Sequence, residues 1–240
     1  MYQHVFLHFN KSIGFIMKKI VIVYVAAMYF MTACNNSSAD KAATDTAQQA
    51  SAQTGKSFEA DTAASSVHWR ATHKGGFAPR YGTISISNGD LSAENGTVTG
   101  GEFTININSL VVDTASVTEK DKKASDLQGH LKSPDFFNAE KYPTAKFVIT
   151  KVAPYDSASV KSELPDANSL VSGNLTLKDS TVNITFPAKI SVSDNNIDVA
   201  AKFMVDRTAW GLNWKTEGDP GNWVVSKDFE LDLNLKAASK

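Results

Sequence analysis

A single cysteine, Cys34, occurs in the 240 residues of the sequence, so an intramolecular disulfide is excluded. Histidine is also scarce, with five residues, of which His4 and His8 lie close to the N-terminus. The formal net charge is only −1, and a chain without a strong basic excess is a poor candidate for binding nucleic acid. The nucleophile motif G-x-S-x-G is absent as well. These absences leave no obvious catalytic centre and predict a protein that is not an enzyme.

An apolar run without charge, Ile20–Met31, follows Lys18 and Lys19. A basic start, a short apolar middle and small residues at the exit are typical of a secretory signal. The run is also shorter than the roughly 20 residues that a membrane-spanning helix needs. The sequence therefore predicts that residues 1–33 form a signal peptide. Because a compact signal begins at Met17, a start of translation at Met17 is favoured, with Met1 as the alternative.

The signal ends in "MTAC", which resembles the lipobox of bacterial lipoproteins. This resemblance implies that Cys34 becomes the acylated first residue of an exported protein, which faces the periplasm from a membrane, the outer membrane by default. An ordinary cleaved signal followed by a chance cysteine is the alternative. Residues 34–57 are small and polar, a composition that cannot bury enough surface to order itself. They are predicted to form a flexible tether before a domain at 58–240.

The remainder of the sequence alternates apolar and polar residues, which indicates strands with one buried face. Eight such segments are predicted, and the alternation is clearest in four of them. These four clear segments lie around Phe103–Ile107, Val182–Ile190, Ile197–Val205 and Phe229–Leu235. Turn signals occur at Asn88–Gly89 and Lys178–Asp179, among others. The pattern favours an all-β, antiparallel fold, but it does not distinguish a sandwich from a closed barrel.

One charged stretch, at about 118–140, interrupts the alternation and is predicted to be helical. Ser133 followed by Pro134 is a favourable helix start, and Tyr142 before Pro143 closes the segment. Phe136 and Phe137 would then lie on neighbouring faces of a short helix. Their rings are expected to pack against an open end of the sheet structure, where they would act as a plug.

Four motifs in this order resemble the YceI family of bacterial periplasmic lipid-binding or polyisoprenoid-binding proteins. The motifs are "SSVHWRATHKGG" at 65–76, "HLKSPDFFNAEKYPTAKF" at 130–147, "VSGNLTLKD" at 171–179 and "DRTAWGL" at 206–212. The resemblance implies an extended, eight-stranded, lipocalin-like barrel around an apolar tunnel. One departure is the tryptophan-rich segment 213–223, which is expected to form a loop at the mouth of the barrel.

The resemblance also implies the function. It predicts a carrier for a long lipid, namely a polyisoprenoid, a quinone or a fatty chain, which would work without a cofactor or a metal. The partners would be the lipid itself and the membrane that holds the acylated Cys34; a second copy of the chain and a cytochrome b561-type membrane protein are further candidates. A packed barrel without ligand, or an enzyme that acts on a lipid head group, are the alternatives.

The apolar faces of the strands supply the predicted lipid-binding residues. They are Phe103, Ile105, Ile107, Phe137, Phe147, Ile149, Phe186, Phe203, Val205 and Trp210. His73, His130 and Arg207 are the candidates for contact with a polar head group, although a structural role is the alternative for each. His68 and His73 are five residues apart on a predicted strand, so they point to opposite faces and cannot share a metal there.

Overall fold

The computed structural model describes residues 41–216 and 224–240. Ten strands and one short helix make up most of this part of the chain. The strands are β1 (Ala43–Thr46), β2 (Lys56–Ala60), β3 (Ser66–His73), β4 (Arg80–Glu94), β5 (Thr97–Val112), β6 (Thr144–Pro154), β7 (Ser169–Leu177), β8 (Ser180–Val192), β9 (Asn196–Asp206) and β10 (Val225–Ser239), and the helix α1 is Ala124–Lys132. The predicted signal peptide, the start at Met17, the acylated Cys34 and the end of the mouth loop, 217–223, lie outside the described residues.

Strands β3 to β10 form a closed antiparallel barrel, in which each strand pairs with the next along the chain. The barrel closes because β10 pairs with β9 on one side and with β3 on the other. Leu231 of β10 is thus opposite Phe203 of β9 and Trp69 of β3. The prediction of an eight-stranded lipocalin-like barrel is confirmed, and the sandwich is excluded.

Strand β2 continues the barrel wall beyond the start of β3. It pairs with the end of β10, where Ala60 is opposite Ala237, and with the end of β4, where Phe58 is opposite Leu91. A turn at 61–65 separates the two strands, and the Asp61 carboxylate accepts hydrogen bonds from the backbone N–H groups of residues 63 and 64. Phe58, 2% exposed, helps to pack this end of the barrel.

The turn predicted at Asn88–Gly89 is wrong, because β4 runs through both residues to Glu94. Instead the register with β5 shifts near Asn88. Gly89 leaves room for an aromatic ring, since a Cβ atom there would lie 2.2 Å from Phe103 Cδ1. The hairpin turn lies at Asn95–Gly96, where both residues have positive φ angles of 51° and 76°, as a tight two-residue hairpin connection requires.

The predicted helical stretch at 118–140 contains α1, but the helix does not begin at Pro134. Ser133 instead ends the helix, with an extended backbone and an N–H that donates to the carbonyl of His130. The following proline explains this end, because the residue before a proline avoids the helical region. Phe136 and Phe137 lie in the turns that follow. Phe136 is 7% exposed and Phe137 packs on the main core cluster, so the prediction that both rings are covered is confirmed.

The prediction of a flexible tether is wrong for residues 41–57, because this segment is built into the barrel wall. β8 and β9 pair directly only over Lys189–Val192 and Ile197–Ala200, and β1 fills the gap where the two strands separate. Ala43–Thr46 pair with β8, and the Ala42 N–H donates to the Met204 carbonyl of β9 at 2.8 Å. A polar composition does not prevent this, because a sheet edge binds a strand through backbone hydrogen bonds.

Beyond β1 the segment crosses the outside of the neighbouring strands. The Gln48 N–H donates to Asn174 on β7, and the Ser51 N–H donates to the carbonyl of Ile149 on β6. The Thr99 hydroxyl of β5 then donates to the carbonyl of Thr54. Residues 41–57 are therefore a strap on the barrel, and we refer to them by that name.

A candidate lipid-binding lumen

The inward side chains of the barrel strands enclose an apolar cavity of about 590 Å³, which we call the lumen. This volume is within the range of about 300–1,000 Å³ found for small-molecule sites. Strand alternation builds the wall, since every second residue of a strand points inward. On β5, for example, Phe103, Ile105 and Ile107 all line the lumen.

Most of the predicted lipid-binding residues line this lumen. Those that do are Phe103, Ile105, Ile107, Phe137, Phe147, Ile149, Phe186 and Phe203. Val205 and Trp210 do not, and their prediction as lining residues is wrong. Both are almost fully covered, at 0% and 1% exposed. The Trp210 indole N–H donates to the carbonyl of Leu175 at 2.8 Å, so this ring is part of the wall.

Aromatic rings form one side of the lumen. Phe186 and Phe203 stack with their centroids 4.0 Å apart, and Phe147 lies 6.0 Å from Phe186. Gly173 makes room for this group, because a Cβ atom there would lie 2.2 Å from Cζ of Phe147. The rings are therefore held against the wall instead of filling the interior.

One end of the lumen, which we call the mouth, is lined by polar as well as apolar side chains. Helix α1 contributes Asp126, Leu127, His130 and Leu131, and the loop before it contributes Asp121, Lys122 and Lys123. Arg80 at the start of β4 also lines the mouth and pairs with Glu119 at 2.5 Å. Trp214, from the part of the predicted mouth loop that the structure describes, lies here too. The lumen thus has a charged end, whereas the rest of its wall is apolar.

His130 is held among aromatic rings at the mouth. Its ring centroid lies 4.6 Å from that of Trp214 and 5.3 Å from that of Phe136, both in edge-on geometry. Its Nε2 is 3.1 Å from the Asp135 carboxylate. These contacts hold the ring at the mouth.

His73, at the end of β3, also lines the lumen and lies near Arg80 and Lys122 of the mouth. Its ring stacks on Phe77 with centroids 5.4 Å apart. Burial, together with the positive charges of Arg80 and Lys122, lowers the pKa of His73 below its usual value. The neutral imidazole is therefore favoured. His68 is exposed, which agrees with the prediction that it faces the other side of the strand.

Arg207 is 5% exposed and lines the lumen, but its donors are used by the backbone. They bind the carbonyls of Leu212, Trp214, Val225 and Ser226, at 2.5, 2.9, 3.2 and 3.0 Å. Burial lowers the pKa of the guanidinium, and the Asp206 charge opposes this effect. Arg207 therefore joins the mouth loop to β10 through these carbonyl contacts, which is the structural role given above as the alternative.

The lumen also contains residues that the sequence did not single out as ligand contacts. They come from β3, β4, α1 and β10, and include Val67, Trp69, Ala71, Ile84, Leu127, Leu131, Phe229, Leu231 and Leu233. The alternation along β10 was sufficient to predict that Phe229, Leu231 and Leu233 face inward. Leu127 and Leu131 are four residues apart, so they lie on one face of the helix. Val67, Trp69 and Ala71 alternate with polar residues along β3 in the same way as the apolar residues of β10.

Neither a metal site nor a membrane-spanning helix is found in the described ranges, 41–216 and 224–240. No cluster of three or more His, Cys, Asp and Glu side chains there is arranged to hold a metal ion. Within the same ranges, none of the helices combines the length and apolar character that crossing a membrane requires.

Comparison with known proteins gives one family. Residues 58–237 match the YceI-like domain. Protein YceI of Escherichia coli O6:H1 and protein YceI of Salmonella arizonae are each 32% identical to this chain over 177 residues, which cover 72% of this chain and 74% of the relative.

Solved structures show the same fold at lower identity. BcnA of Burkholderia cenocepacia aligns with a TM-score of 0.51 at 17% identity, over 74% of this chain and 98% of BcnA. A polyisoprenoid binding domain from Saccharophagus degradans, implicated in plant cell wall breakdown, aligns with a TM-score of 0.50 at 16% identity, over 76% of this chain and 98% of that domain. With its barrel, its motifs and the match over 58–237, this chain belongs to the YceI-like family.

Proposed function

We propose that this protein is a non-catalytic carrier that holds a long apolar lipid in its lumen. The observation that carries the proposal is the apolar cavity of about 590 Å³ inside a closed barrel. A structural neighbour described as a polyisoprenoid binding domain supports a polyisoprenoid as one ligand class, and a quinone or a fatty chain has the same apolar character.

The size of the barrel suits an extended chain. Strands β4 and β5 have 15 and 16 residues, and a strand rises about 3.3 Å per residue. Each methylene that leaves water for the lumen contributes about 0.8 kcal/mol, against association and ordering costs of several kcal/mol. A chain of about 20 carbons therefore has sufficient driving force to bind.

The polar groups at the mouth favour one orientation for a ligand with a charged head. The head would remain at the mouth near His73, His130 and the charged residues of the 121–126 segment, and the chain would extend into the apolar barrel. Arg207 has a different role in this proposal, because its donors are engaged by four carbonyls.

Acylation of Cys34 would place this carrier on a membrane, in the periplasm-facing position that its signal sequence favours. Because the strap is fixed to the barrel from Lys41 onward, only the residues between Cys34 and Lys41 connect lipid and barrel. The seven residue steps from Cys34 to Lys41 span at most about 25 Å when fully extended. The barrel would thus remain within that distance of the anchored cysteine. A homodimer and a cytochrome b561-type partner stay predictions.

Native mass spectrometry of the full chain tests the carrier proposal. Cys34→Ser prevents acylation, so that the protein can be purified without detergent and incubated with vesicles that contain an isoprenoid, a quinone or a fatty acid. A stoichiometric adduct, identified after organic extraction, is expected. A protein that stays free of ligand with all three would contradict the proposal and favour a barrel without a ligand.

Two variants test the alternatives. Ile105→Trp puts a large ring in the lumen and should abolish the adduct while the fold is retained; a loss of stability with unchanged lipid content would favour a structural barrel. His73→Ala and His130→Ala test an enzyme acting on a lipid head group. Turnover of extracted lipids by the wild type, lost in either variant, would establish that reaction and overturn the non-catalytic carrier.

A further inference from the structure

Large apolar side chains are exposed at two positions in the described part of the chain, Phe77 at 50% and Val111 at 47%. Phe77 lies in the loop between β3 and β4, and Val111 lies close to the end of β5, opposite Thr83 on β4. Because β3 ends, β4 begins and β5 ends at the mouth, both exposed side chains border it.

The loop 74–79 holds the Phe77 ring in a defined position. Gly75 and Gly76 have positive φ angles of 87° and 84°, a backbone conformation that glycine adopts without steric cost. The turn that they form brings Phe77 back to β3, where the His73 N–H donates to the Phe77 carbonyl at 3.0 Å. The Phe77 ring stacks on the His73 ring. The exposed part of the Phe77 ring is thus presented beside the mouth by an ordered loop.

The opposite end of the barrel has a different surface. Its connections are the turns at 61–65, 95–96 and 193–195 and the longer loop 155–168. No large apolar side chain in these four connections is exposed, and Phe58 at this end is buried. Apolar side chains that are exposed together mark an interaction surface. An apolar contact with a membrane is therefore expected at the mouth and not at this end.

The strap also leaves the barrel on the side of the mouth. Lys41, its first residue, pairs with Asp206 at the end of β9 and with Asp228, which is opposite Asp206 on β10. The other end of β10, at Ser239, lies about 35 Å further along the strand. Because at most about 25 Å of chain separates Cys34 from Lys41, acylation of Cys34 would hold the barrel to a bilayer from the side of the mouth.

A long lipid has to enter the mouth from a bilayer because it does not dissolve in water. Each methylene favours an apolar surrounding over water about fourfold, so a chain of about 20 carbons favours a bilayer by a factor on the order of 10¹². The segments beside the mouth, 74–80 and 113–126, carry basic and acidic side chains in nearly equal number. Such a surface suits zwitterionic lipids, since adsorption to anionic lipids depends on clustered basic residues.

We propose that the mouth docks on a zwitterionic lipid bilayer, with the exposed part of Phe77 inserted among the head groups and Val111 next to it. This inference rests on the proposed carrier function and adds the surface through which the lipid enters the lumen. Docking places the mouth against the bilayer, so that an extended chain passes from one apolar environment to another with little exposure to water. Because the contact is apolar, docking should change little with salt concentration.

A fluorescent label at each end of the barrel tests the docking. The full chain with Cys34→Ser contains no other cysteine, so Lys74→Cys beside the mouth and Thr62→Cys at the opposite end can each carry the polarity-sensitive dye NBD. Both positions are exposed. Each labelled protein is mixed with phosphatidylcholine vesicles at low and at high salt concentration. Because both proteins share residues 1–40, any binding through that segment is common to them.

The label at residue 74 is expected to shift to shorter wavelength with vesicles at both salt concentrations, whereas the label at residue 62 should not shift. Phe77→Ser should abolish the shift, and Phe77→Trp should retain it. The unlabelled Phe77→Ser protein should take up a pyrene-labelled fatty acid from the vesicles about 5- to 10-fold more slowly, the factor that corresponds to a half-exposed ring. The final amount bound should be unchanged. Leu164→Ser, in the loop at the opposite end, is the matched control and should keep the wild-type rate.

The other results contradict the inference in distinguishable ways. An unshifted label at residue 74, equal shifts at both ends, or a shift that persists with Phe77→Ser would refute docking by the mouth and leave the carrier function intact. A shift that disappears at high salt would refute docking through an apolar contact. A shift at residue 74 without uptake of the fatty acid, an isoprenoid or a quinone would refute the carrier function and, with it, lipid entry through the docked mouth.

Discussion

Lys41 fastens the strap at the gap between β8 and β9, so its removal should weaken the barrel wall there. Its Nζ lies 2.6 Å from the Asp228 carboxylate and 3.5 Å from that of Asp206. The Lys41 side chain is 18% exposed, and those of the two acids are 26% and 20% exposed. Lys41→Met keeps the length of the side chain but leaves Asp228 without this cation. Asp206 keeps its contact with Lys227.

The expected loss of stability is about 2 kcal/mol. This value lies between the 0–1 kcal/mol typical of exposed ion pairs and the roughly 3–5 kcal/mol lost when a buried pair is broken. Because the strap supplies the β8 edge with its partner strand, the loss should appear first as local opening of β1. An opening free energy lowered by about 2 kcal/mol corresponds to hydrogen exchange that is about 30-fold faster.

Hydrogen exchange of residues 182–185 on β8 is the appropriate assay, because these residues pair with β1. Alternate amides of an antiparallel strand face opposite neighbours, so the amides that face β7 serve as an internal control and should keep their protection. Lys202→Met is a matched control variant, since Lys202 pairs with Glu230 at 3.6 Å on a more exposed part of the barrel. It should change stability by less than about 1 kcal/mol.

A double variant separates the charge pair from other effects of the substitution. Asp228→Asn combined with Lys41→Met removes both charges. The double variant should recover part of the stability lost in Lys41→Met, with a coupling free energy of about 1 kcal/mol between the two substitutions. The reasoning would be refuted if Lys41→Met left the exchange of residues 182–185 unchanged, or if Lys202→Met accelerated it equally.

Three further predictions concern the barrel wall. Gly173→Ala would place a Cβ atom against the Phe147 ring, and the crowding should cost about 1–3 kcal/mol in urea unfolding; an unchanged midpoint would show that the ring moves freely. Trp210→Phe removes the hydrogen bond to Leu175 and leaves a gap in the core, so it should cost about 3 kcal/mol in urea unfolding without abolishing the lipid adduct, because this ring lies outside the lumen. Burial raises the pKa of Asp206, but hydrogen bonds from Thr208 and the nearby lysines outweigh it and hold the pKa below its usual value. The resulting stability is present above the unfolded pKa of about 4 and is lost as the pH falls through the folded value; Asp206→Asn should flatten this part of the acid unfolding profile, and an identical profile would contradict it.

The strands could be predicted from the sequence because their signal is carried by side chains. The alternation around Phe103–Ile107 and Phe229–Leu235 indicates which residues face inward, and in the structure these residues line the same lumen. Closure into a barrel was not contained in that pattern, because a sandwich buries the same faces. It followed from the motif resemblance, and the pairing of β10 with β3 confirms it.

The features that sequence reasoning missed depend on backbone contacts or on distant residues. The strap is held by backbone hydrogen bonds and by ion pairs of Lys41, so its polar composition gave no indication of order. Arg207 likewise binds backbone carbonyls between Leu212 and Ser226, and no feature of the sequence around Arg207 predicts these contacts. Asn88–Gly89 has the composition of a turn, but the ring of Phe103 on the adjacent strand determines the role of Gly89.

The strap and the strands around the lumen form one continuous wall. β1 closes the gap between β8 and β9, and these two strands carry the stacked Phe186 and Phe203 of the lumen. An acyl chain on Cys34 would therefore be joined, through a few residues, to the strand that completes the wall beside these rings. Any tension on that connection would act first on the pairing of Lys41 with Asp228 and not on the long strands opposite. Under the proposed acylation, the gap between β8 and β9 is thus the part of the lumen wall that lies nearest along the chain to the anchor.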